Sequence, residues 1–303
     1  MTTDQHARQF TALRPLLFSI AYEILGSTTE SDDVLQDSYL RWADVDLAGV
    51  RDARAYLARL VTRQSLNALR AAARRREQYV GPWLPEPLLL DQSDASADAE
   101  LADSVSMAMM VVLETLGPDE RAVFVLREVF GFDYDEIAAA VGKSTIAVRQ
   151  IAHRSREHVQ ARRRRFQPAD PQRSMELTAQ FFTAATTGDL EALMSMLAPD
   201  VVWTADSNGK VSAARRPVSG ARNVAKLVLG LIRLGGPEGR AEPAFYNNAP
   251  ALVLYTGDKL EGVVSVEVVG GRITNFYAIR NPEKLAGVLV TRRISRSGGN
   301  LGS

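Results

Sequence analysis

Cysteine is absent from the sequence, which excludes disulfides, thiolate nucleophiles and cysteine-ligated metal sites. Histidine is scarce, with only His6, His153 and His158 among 303 residues, so we predict neither a metal site nor a cofactor. No apolar run approaches the roughly 20 residues that a membrane span needs. The opening MTTDQHARQF also lacks the apolar stretch of a secretory signal. We therefore expect a cytoplasmic protein with no membrane partner.

Net charge is also absent, because 36 basic side chains balance 36 acidic ones. The two signs are nevertheless segregated along the chain. Acidic residues dominate 30–46 and 86–103, whereas arginine dominates 51–77 and 143–165. Two basic helical segments separated by an acidic spacer are typical of two nucleic-acid contacts joined by a tether. The alternative is that these runs are ordinary solvated helix faces.

The length exceeds that of one ordinary domain, which is about 100–200 residues. A helical first third is interrupted by three prolines between residues 82 and 87, and a serine- and alanine-rich acidic stretch follows. Further on, alternating apolar runs flank Gly270-Gly271, which predicts a hairpin. The predicted organisation is a helical domain over 5–79, a linker over 80–100, a second helical domain over 101–166, an α+β domain over 174–290 and a disordered tail over 291–303.

The first basic segment predicts an amphipathic helix with Leu57, Val61 and Ala68 on its inner side. An arginine stripe on the opposite side matches a phosphate track, and threonine or asparagine beside it could bond to bases. The candidate DNA contacts are Arg59, Thr62, Arg63, Asn67, Arg70 and Arg74. A basic outer face without function is the alternative.

The second basic segment has the spacing of a helix-turn-helix, with Gly142 at the turn and Val148 anchoring the second helix. Arginine and glutamine at the start of such a helix suit base edges, and we expect Arg149 and Gln150 to read bases while Arg156 contacts phosphate. His153 is a DNA contact or merely an exposed histidine. The candidate DNA contacts are Ser144, Thr145, Arg149, Gln150, His153, Arg154 and Arg156.

The acidic helix ESDDVLQDSYLRW should bury Val34, Leu35, Ser38 and Trp42. Its outer face would carry Asp33, Gln36, Asp37 and Leu40. A leucine ringed by carboxylates suits a protein partner better than DNA, whose phosphates would be repelled. An acidic helix with one exposed leucine is, however, also common.

These segments together resemble the extracytoplasmic-function sigma factors of bacterial RNA polymerase. DDVLQDSYLRW resembles the region-two helix that docks on the clamp coiled coil of the largest polymerase subunit. DARAYLARLVTRQSLNALRAAARR resembles the segment that melts and reads the −10 element. The stretch LGPDERAVFVLREVFGFDYDEIAAAVGKSTIAVRQIAHRSREHV resembles region four, which reads the −35 element. The resemblance spans residues 5–164 and implies two helical sigma domains, with core RNA polymerase and promoter DNA as partners.

Three further motifs resemble the subgroup with a SnoaL-like C-terminal extension, the sigma J type. They are WLPEPL in the linker, DSNGK and NPEKL, although the family's middle motif is richer in glycine and its last usually has Asp where Glu283 stands. The resemblance implies a cone-shaped α+β barrel that regulates in cis. The interdomain candidates are Trp83, Leu84, Pro85, Glu86, Pro87, Leu88, Asp206, Gly209, Lys210, Asn281, Pro282, Glu283, Lys284 and Leu285.

The predicted function is that of a stress-response sigma factor without enzymatic activity, whose C-terminal pocket is a candidate small-molecule site. One alternative is a stand-alone, ligand-responsive repressor, which would have no need of the acidic docking helix. Another is an isomerase- or cyclase-type enzyme fused to a DNA anchor. Its pocket acids and phenols would come from Asp206, Glu267, Tyr246, Tyr255 and Tyr277.

Overall fold

The computed structural model describes residues 2–90, 99–163 and 171–297. In those ranges no helix combines the length and apolar character that crossing a bilayer demands. The first helical domain consists of α1 (Thr2–Leu25), α2 (Thr28–Ala43) and α3 (Ala53–Arg76). The second comprises α4 (Ala99–Ser104), α5 (Met107–Leu113), α6 (Pro118–Phe124), a π-helical turn (Val125–Val129), α7 (Tyr134–Val141) and α8 (Thr145–Arg163).

Local signals in the sequence set the ends of the helices that carry the candidate sites. The Ser27 hydroxyl accepts a hydrogen bond from the Glu30 amide and caps α2. Gly142 ends α7 with a left-handed φ of 72°. The Ser144 hydroxyl then accepts a bond from the Ala147 amide (3.2 Å) at the start of α8. The helix-turn-helix is therefore confirmed, with its glycine turn and its serine cap.

The C-terminal domain is α+β. Its elements are α9 (Pro171–Thr187), α10 (Leu190–Met196), β1 (Leu197–Asp206), β2 (Val218–Ser219), α11 (Ala221–Gly235), β3 (Gly239–Tyr246), β4 (Ala249–Thr256), β5 (Lys259–Val269), β6 (Arg272–Ile279) and α12 (Pro282–Leu285). The six strands form one sheet in the order β2-β1-β6-β5-β4-β3. The predicted hairpin is β5–β6.

The expected barrel is not closed, because β2 and β3 remain the two edges of the sheet. One face of the sheet packs on the domain's own helices, in a core that contains Phe181, Trp203 and Phe276. The other face packs on the linker and the second helical domain, and there Leu84 and Met107 join Tyr277 in one apolar cluster. Both faces of the sheet are thus covered, and the contacts of the second face join the C-terminal domain to the rest of the chain.

The two helical domains share one hydrophobic core, in which α3 packs against α7 and α6. The segment 291–297, expected to be disordered, also packs onto this pair, and Ile294 is buried in the shared core. That expectation rested on local composition, whereas the burial of Ile294 depends on a groove made by distant elements. Residues 298–303 of the expected tail lie outside the described residues.

Candidate functional site

The outer face of α2 carries the four residues expected to dock a protein partner. Asp33, Gln36, Asp37 and Leu40 are all exposed, and Leu40 retains 59% of its accessible surface. We call this set the docking face. On the opposite side Val34, Leu35, Ser38 and Trp42 are buried, as the periodicity predicted. The Trp42 indole donates to the His6 carbonyl (3.1 Å), which fixes α2 against α1. The docking role itself stays a prediction.

On α3, the arginine stripe is exposed at Arg59, Arg63 and Arg70, together with Asn67. The side chain of Arg74 lies outside the described residues. Arg70 already has a partner in the second helical domain, since its guanidinium lies 2.7 Å from the Asp119 carboxylate. At Arg70 the stripe therefore contacts the second helical domain.

Thr62 corrects the expected outer face of α3, because it is fully buried. It lines a narrow gap together with Ile137 and Ala140 of α7. The second helical domain covers this side of α3, a long-range contact that periodicity along one helix could not predict. We call this arrangement, in which the second helical domain covers α3, the closed arrangement. Thr62 is shielded from nucleic acid in it, so a contact with DNA would require the two domains to separate.

The recognition helix α8 presents most of its candidates to solvent. Ser144, Arg149, Gln150, His153 and Arg154 are exposed, while Val148, Ile151, Ser155 and Val159 are buried. Thr145 is half-buried, and its hydroxyl donates to Asp135 (2.7 Å). The start of the helix is therefore anchored and its outer face is open.

Arg156 is held by a carboxylate within its own domain. Its guanidinium donates two bonds to Glu128, at 3.0 and 2.6 Å, and this contact raises the pKa of Arg156. Glu128 lies in the π-helical turn, a geometry often found at functional positions. A phosphate contact by Arg156 would therefore have to compete with Glu128. Spacing along α8 gave no sign of this partner.

The three motif segments meet at Asp206, which is fully buried. One of its oxygens accepts bonds from the Leu84 amide (2.8 Å) and from Lys284 Nζ (2.7 Å). Its other oxygen accepts a bond from the Tyr79 hydroxyl. Burial lowers the pKa of Lys284, although the Asp206 carboxylate opposes that shift. The pair lies within the C-terminal domain and is costly to break because it is buried, so it holds Asp206 and Lys284 where both bond to the linker at Leu84.

Trp83 is stacked between two cations from different domains. Lys284 Nζ lies 3.2 Å from the centre of its ring and the Arg76 guanidinium 4.1 Å. Beside it, the Val80 amide donates to the Asn208 side chain (3.1 Å), and Gly209, with a left-handed φ of 67°, packs closely against the Val80 side chain. The interdomain grouping predicted from the motifs is therefore present in space.

The peripheral members of this grouping are also in place. Pro85 and Pro87 are buried in the linker, and Asn281 caps α12, which begins at Pro282. Lys210 forms an exposed ion pair with Glu283, and Leu285 joins the apolar cluster around Leu84.

Glu86 and Leu88 continue the linker across the first helical domain. The Glu86 carboxylate accepts bonds from the Ser27 hydroxyl (2.8 Å) and from the Thr28 and Thr29 amides (2.8 and 3.1 Å). It therefore occupies the positive end of the docking helix. Leu88 is fully buried in the core that the helical domains share.

Sequence reasoning missed Asn247, at the tip of the β3–β4 hairpin. Its side-chain oxygen accepts from the Leu88 amide (2.9 Å). Its side-chain nitrogen donates to the Tyr22 hydroxyl and to the Val105 carbonyl, both at 2.7 Å. One residue thus contacts the linker and both helical domains. The Asn-Asn pair has a positive φ at both positions, which is a recognisable turn signal, but its partners lie far away in sequence.

A second tie between the helical domains is a buried ionic network. Arg121 donates to the Glu23 carbonyl (2.7 Å) and to Glu114 (2.5 Å), and Glu114 also contacts Arg76. Burial opposes ionisation of Glu114, but Arg121 and Arg76 outweigh it and lower its pKa. Burial raises the pKa of Glu23 to about 8. A hydrogen bond from the Ser104 hydroxyl favours the charged form and partly offsets this rise.

The candidates for enzymatic chemistry are not assembled as one site. Asp206 is committed to the interdomain junction, and the Tyr246 hydroxyl donates to the Val288 carbonyl (3.0 Å). Tyr255 stacks against Arg240. Only Glu267 and Tyr277 are joined, by a 3.0 Å hydrogen bond, and burial raises the pKa of Glu267 to about 7. Among the described residues no histidine or carboxylate cluster suits a metal.

Comparison with known proteins gives consistent matches. Residues 9–75 match sigma-70 region 2, and residues 106–159 match sigma-70 region 4. The chain is 38% identical over 299 residues to the ECF RNA polymerase sigma factor SigJ of Mycobacterium tuberculosis, covering 92% of this chain and 93% of SigJ. It is 28% identical to the probable ECF sigma factor SigI of that organism, with coverage of 93% and 95%. The crystal structure of M. tuberculosis SigJ aligns with a TM-score of 0.72 and 31% identity, over 95% and 99% of the two chains.

Proposed function

Because the chain belongs to the extracytoplasmic-function sigma factors, which direct transcription initiation, we propose that it docks core RNA polymerase through α2 and reads promoters through α3 and α8. The clamp coiled coil of the largest subunit is the proposed contact of the docking face. The protein would act in the cytoplasm, where it meets polymerase and DNA. The observation that carries the proposal is an acidic, leucine-centred docking face exposed on the same domain as the arginine stripe.

The −35 element would be read by α8, whose exposed Arg149 and Gln150 suit base edges in the major groove. The −10 element would be melted and read along α3, with Arg59, Arg63 and Asn67 available from the start. Arg70 would have to leave Asp119, and Thr62 would have to leave α7. Promoter recognition by both helices therefore requires the two helical domains to separate.

Regulation in cis is the proposed role of the SnoaL-like domain. It contacts the linker at Asp206 and Lys284, and both helical domains at Asn247. Each contact favours the closed arrangement over an extended one. The domain would thereby set how readily the factor opens for polymerase and promoter.

A small-molecule effector has a candidate site at the same junction. A cleft of about 310 Å³ lies between the start of the linker and the loop after β1, with Gly81, Pro82, Lys210 and Arg215 in its lining. Occupancy of this cleft would bridge the linker to the C-terminal domain. An enzymatic role is not proposed, since the candidate acids and phenols serve other contacts or lie apart.

The proposal is tested by transcription in vitro with purified core polymerase and the variant D33K/D37K. Charge reversal on the docking face should abolish holoenzyme formation and transcription, because the acidic surface is expected to meet a basic one. The matched control is E238K/D258K, which reverses two exposed acids of the C-terminal domain and should retain both. Holoenzyme formation by D33K/D37K with unchanged affinity would contradict the docking role and revive the repressor alternative.

A further inference from the structure

The segment 291–297, which we call the C-terminal strap, is bonded to the first helical domain. The Arg292 guanidinium donates two bonds to Asp32 of α2, at 3.2 and 2.9 Å. The Arg292 amide donates to the Leu89 carbonyl (2.9 Å). Three residues on, the Ser295 amide donates to the Ser19 hydroxyl of α1 (3.1 Å).

The same strap is bonded to the second helical domain. Arg296 donates to the Val129 carbonyl (2.8 Å) and to Glu100 (2.5 Å). It lines a cleft of about 290 Å³ that also contains Glu128 and Arg156. Between the two arginines, Ile294 is only 5% exposed within the core that both helical domains share. Two cations and one apolar side chain therefore bridge the domains.

The position of Arg292 on α2 links the strap to the docking face. Asp32 immediately precedes Asp33, and at 100° per residue it lies 40° from Gln36, at the edge of that face. In the closed arrangement its charge is already neutralised by Arg292 and by Arg14. A basic partner surface that engages Asp33 and Asp37 would compete with Arg292 for Asp32.

We propose that the C-terminal strap is an autoinhibitory latch that holds the two helical domains closed and is displaced when polymerase engages α2. This inference rests on the proposed sigma function and adds the element that couples docking to opening. Docking would withdraw Asp32 from Arg292, and loss of that anchor would free Ile294 and Arg296. The separated domains would then expose Thr62 and release Arg70 for the promoter.

The test compares full-length wild type with R292A/I294A/R296A. Hydrogen exchange of the free proteins should be faster in the variant over α3 and α7, whose contact is the closed interface. Apparent affinity for core polymerase should rise about tenfold if the open fraction rises tenfold, because only open molecules bind fully. The matched control R216A/R222A removes two exposed arginines of the same domain and should alter neither measurement.

A second variant isolates the anchor on α2. R292A and D32N should each accelerate exchange over α3 and α7, and combining them should add little, since both remove the ion pair between Arg292 and Asp32. D33N, one residue away and outside this contact, should leave exchange unchanged. Protection of the β5–β6 hairpin in every variant establishes that the C-terminal domain remains folded.

Two results would overturn the latch. Unchanged exchange over α3 and α7 in R292A/I294A/R296A would make the strap a passive attachment. Faster exchange with weaker polymerase binding would make it a positive part of the docking surface. If neither wild type nor variant binds core polymerase, the sigma function fails instead, and the exchange measurement still decides whether the strap closes the domains.

Discussion

Glu86 illustrates how one side chain of the linker supports a functional surface. Its carboxylate is the acceptor for the first amides of α2, so its removal would leave buried donors without partners. We predict that E86A lowers the free energy of unfolding by about 2 kcal/mol, since bonds to a charged group are worth roughly 1.5–3 kcal/mol. Urea unfolding measures the change, and E77A, at an exposed position, is the control. An equal effect of both substitutions would contradict the capping role.

Glu23 gives a prediction with a definite sign in pH. Its pKa in the folded protein is raised to about 8 from an ordinary value of 4.5, so the folded state binds the proton more tightly. The resulting stabilisation is complete below about pH 4.5 and is lost as pH rises through 8. Between pH 6 and 8 the titration of Glu23 should lower the free energy of unfolding by up to about 1.4 kcal/mol per pH unit.

Unfolding free energies of wild type and E23Q, measured at the same pH values, isolate this contribution. Glu267, whose pKa is raised to about 7, titrates in both proteins and cancels in the difference. E23Q should remove most of the decline between pH 6 and 8. Parallel curves for the two proteins would show that Glu23 does not titrate as its burial implies.

For single residues, the sequence predicted exposure correctly where the periodicity of one helix alone determines which side chains are buried. Asp33, Asp37 and Leu40 are exposed because the periodicity of α2 alone sets its inner face. Thr62 and Arg156 were placed by the same reasoning, but contacts with α7 and Glu128 decide their surroundings. Such contacts join residues far apart in sequence, and no local pattern records them.

Among the elements, α8 has the most direct consequence for promoter choice. Arg149 is exposed, 5.4 Å from the ring of Tyr134, and among the residues that the structure describes no acid holds it in the way that Glu128 holds Arg156. We predict that R149A relaxes preference at one or two base pairs of the −35 element, at a cost of roughly 1–3 kcal/mol. Binding to a panel of −35 duplexes measures the effect. R154A, on the same open face, should instead weaken all duplexes alike.

A uniform loss of affinity in R149A across that panel would contradict base reading.

The recognition helix α8 was predictable from the sequence, because Gly142, Ser144 and Val148 are local signals. The strap was not, since its arginines and serines have the composition of a disordered tail. Its order depends on Ile294 entering a groove that exists only when both helical domains are assembled.

At the scale of the whole molecule, every interdomain contact described above stabilises the closed arrangement of the two helical domains. The Asp206 junction, the Asn247 hairpin tip, the Arg121 network and the strap each join different domains or the linker. Under the proposed function these are the contacts that oppose separation of the helical domains at a promoter. The motifs predicted that linker and C-terminal domain meet, but the enclosure of α3 emerges only from the assembled chain.

The whole-molecule prediction compares four proteins: full-length chain, W83A, a chain truncated at Pro171, and the truncated chain with W83A. In the full chain Trp83 joins Arg76 to Lys284, whereas truncation removes Lys284 and leaves only the contact with Arg76. If the C-terminal domain regulates through this junction, W83A and truncation should each alter transcription in vitro. W83A should then add little to the truncated chain, because both changes disable one coupling. Equal activity of the truncated and full-length chains would contradict regulation in cis, and an undiminished effect of W83A after truncation would assign Trp83 to the sigma domains alone.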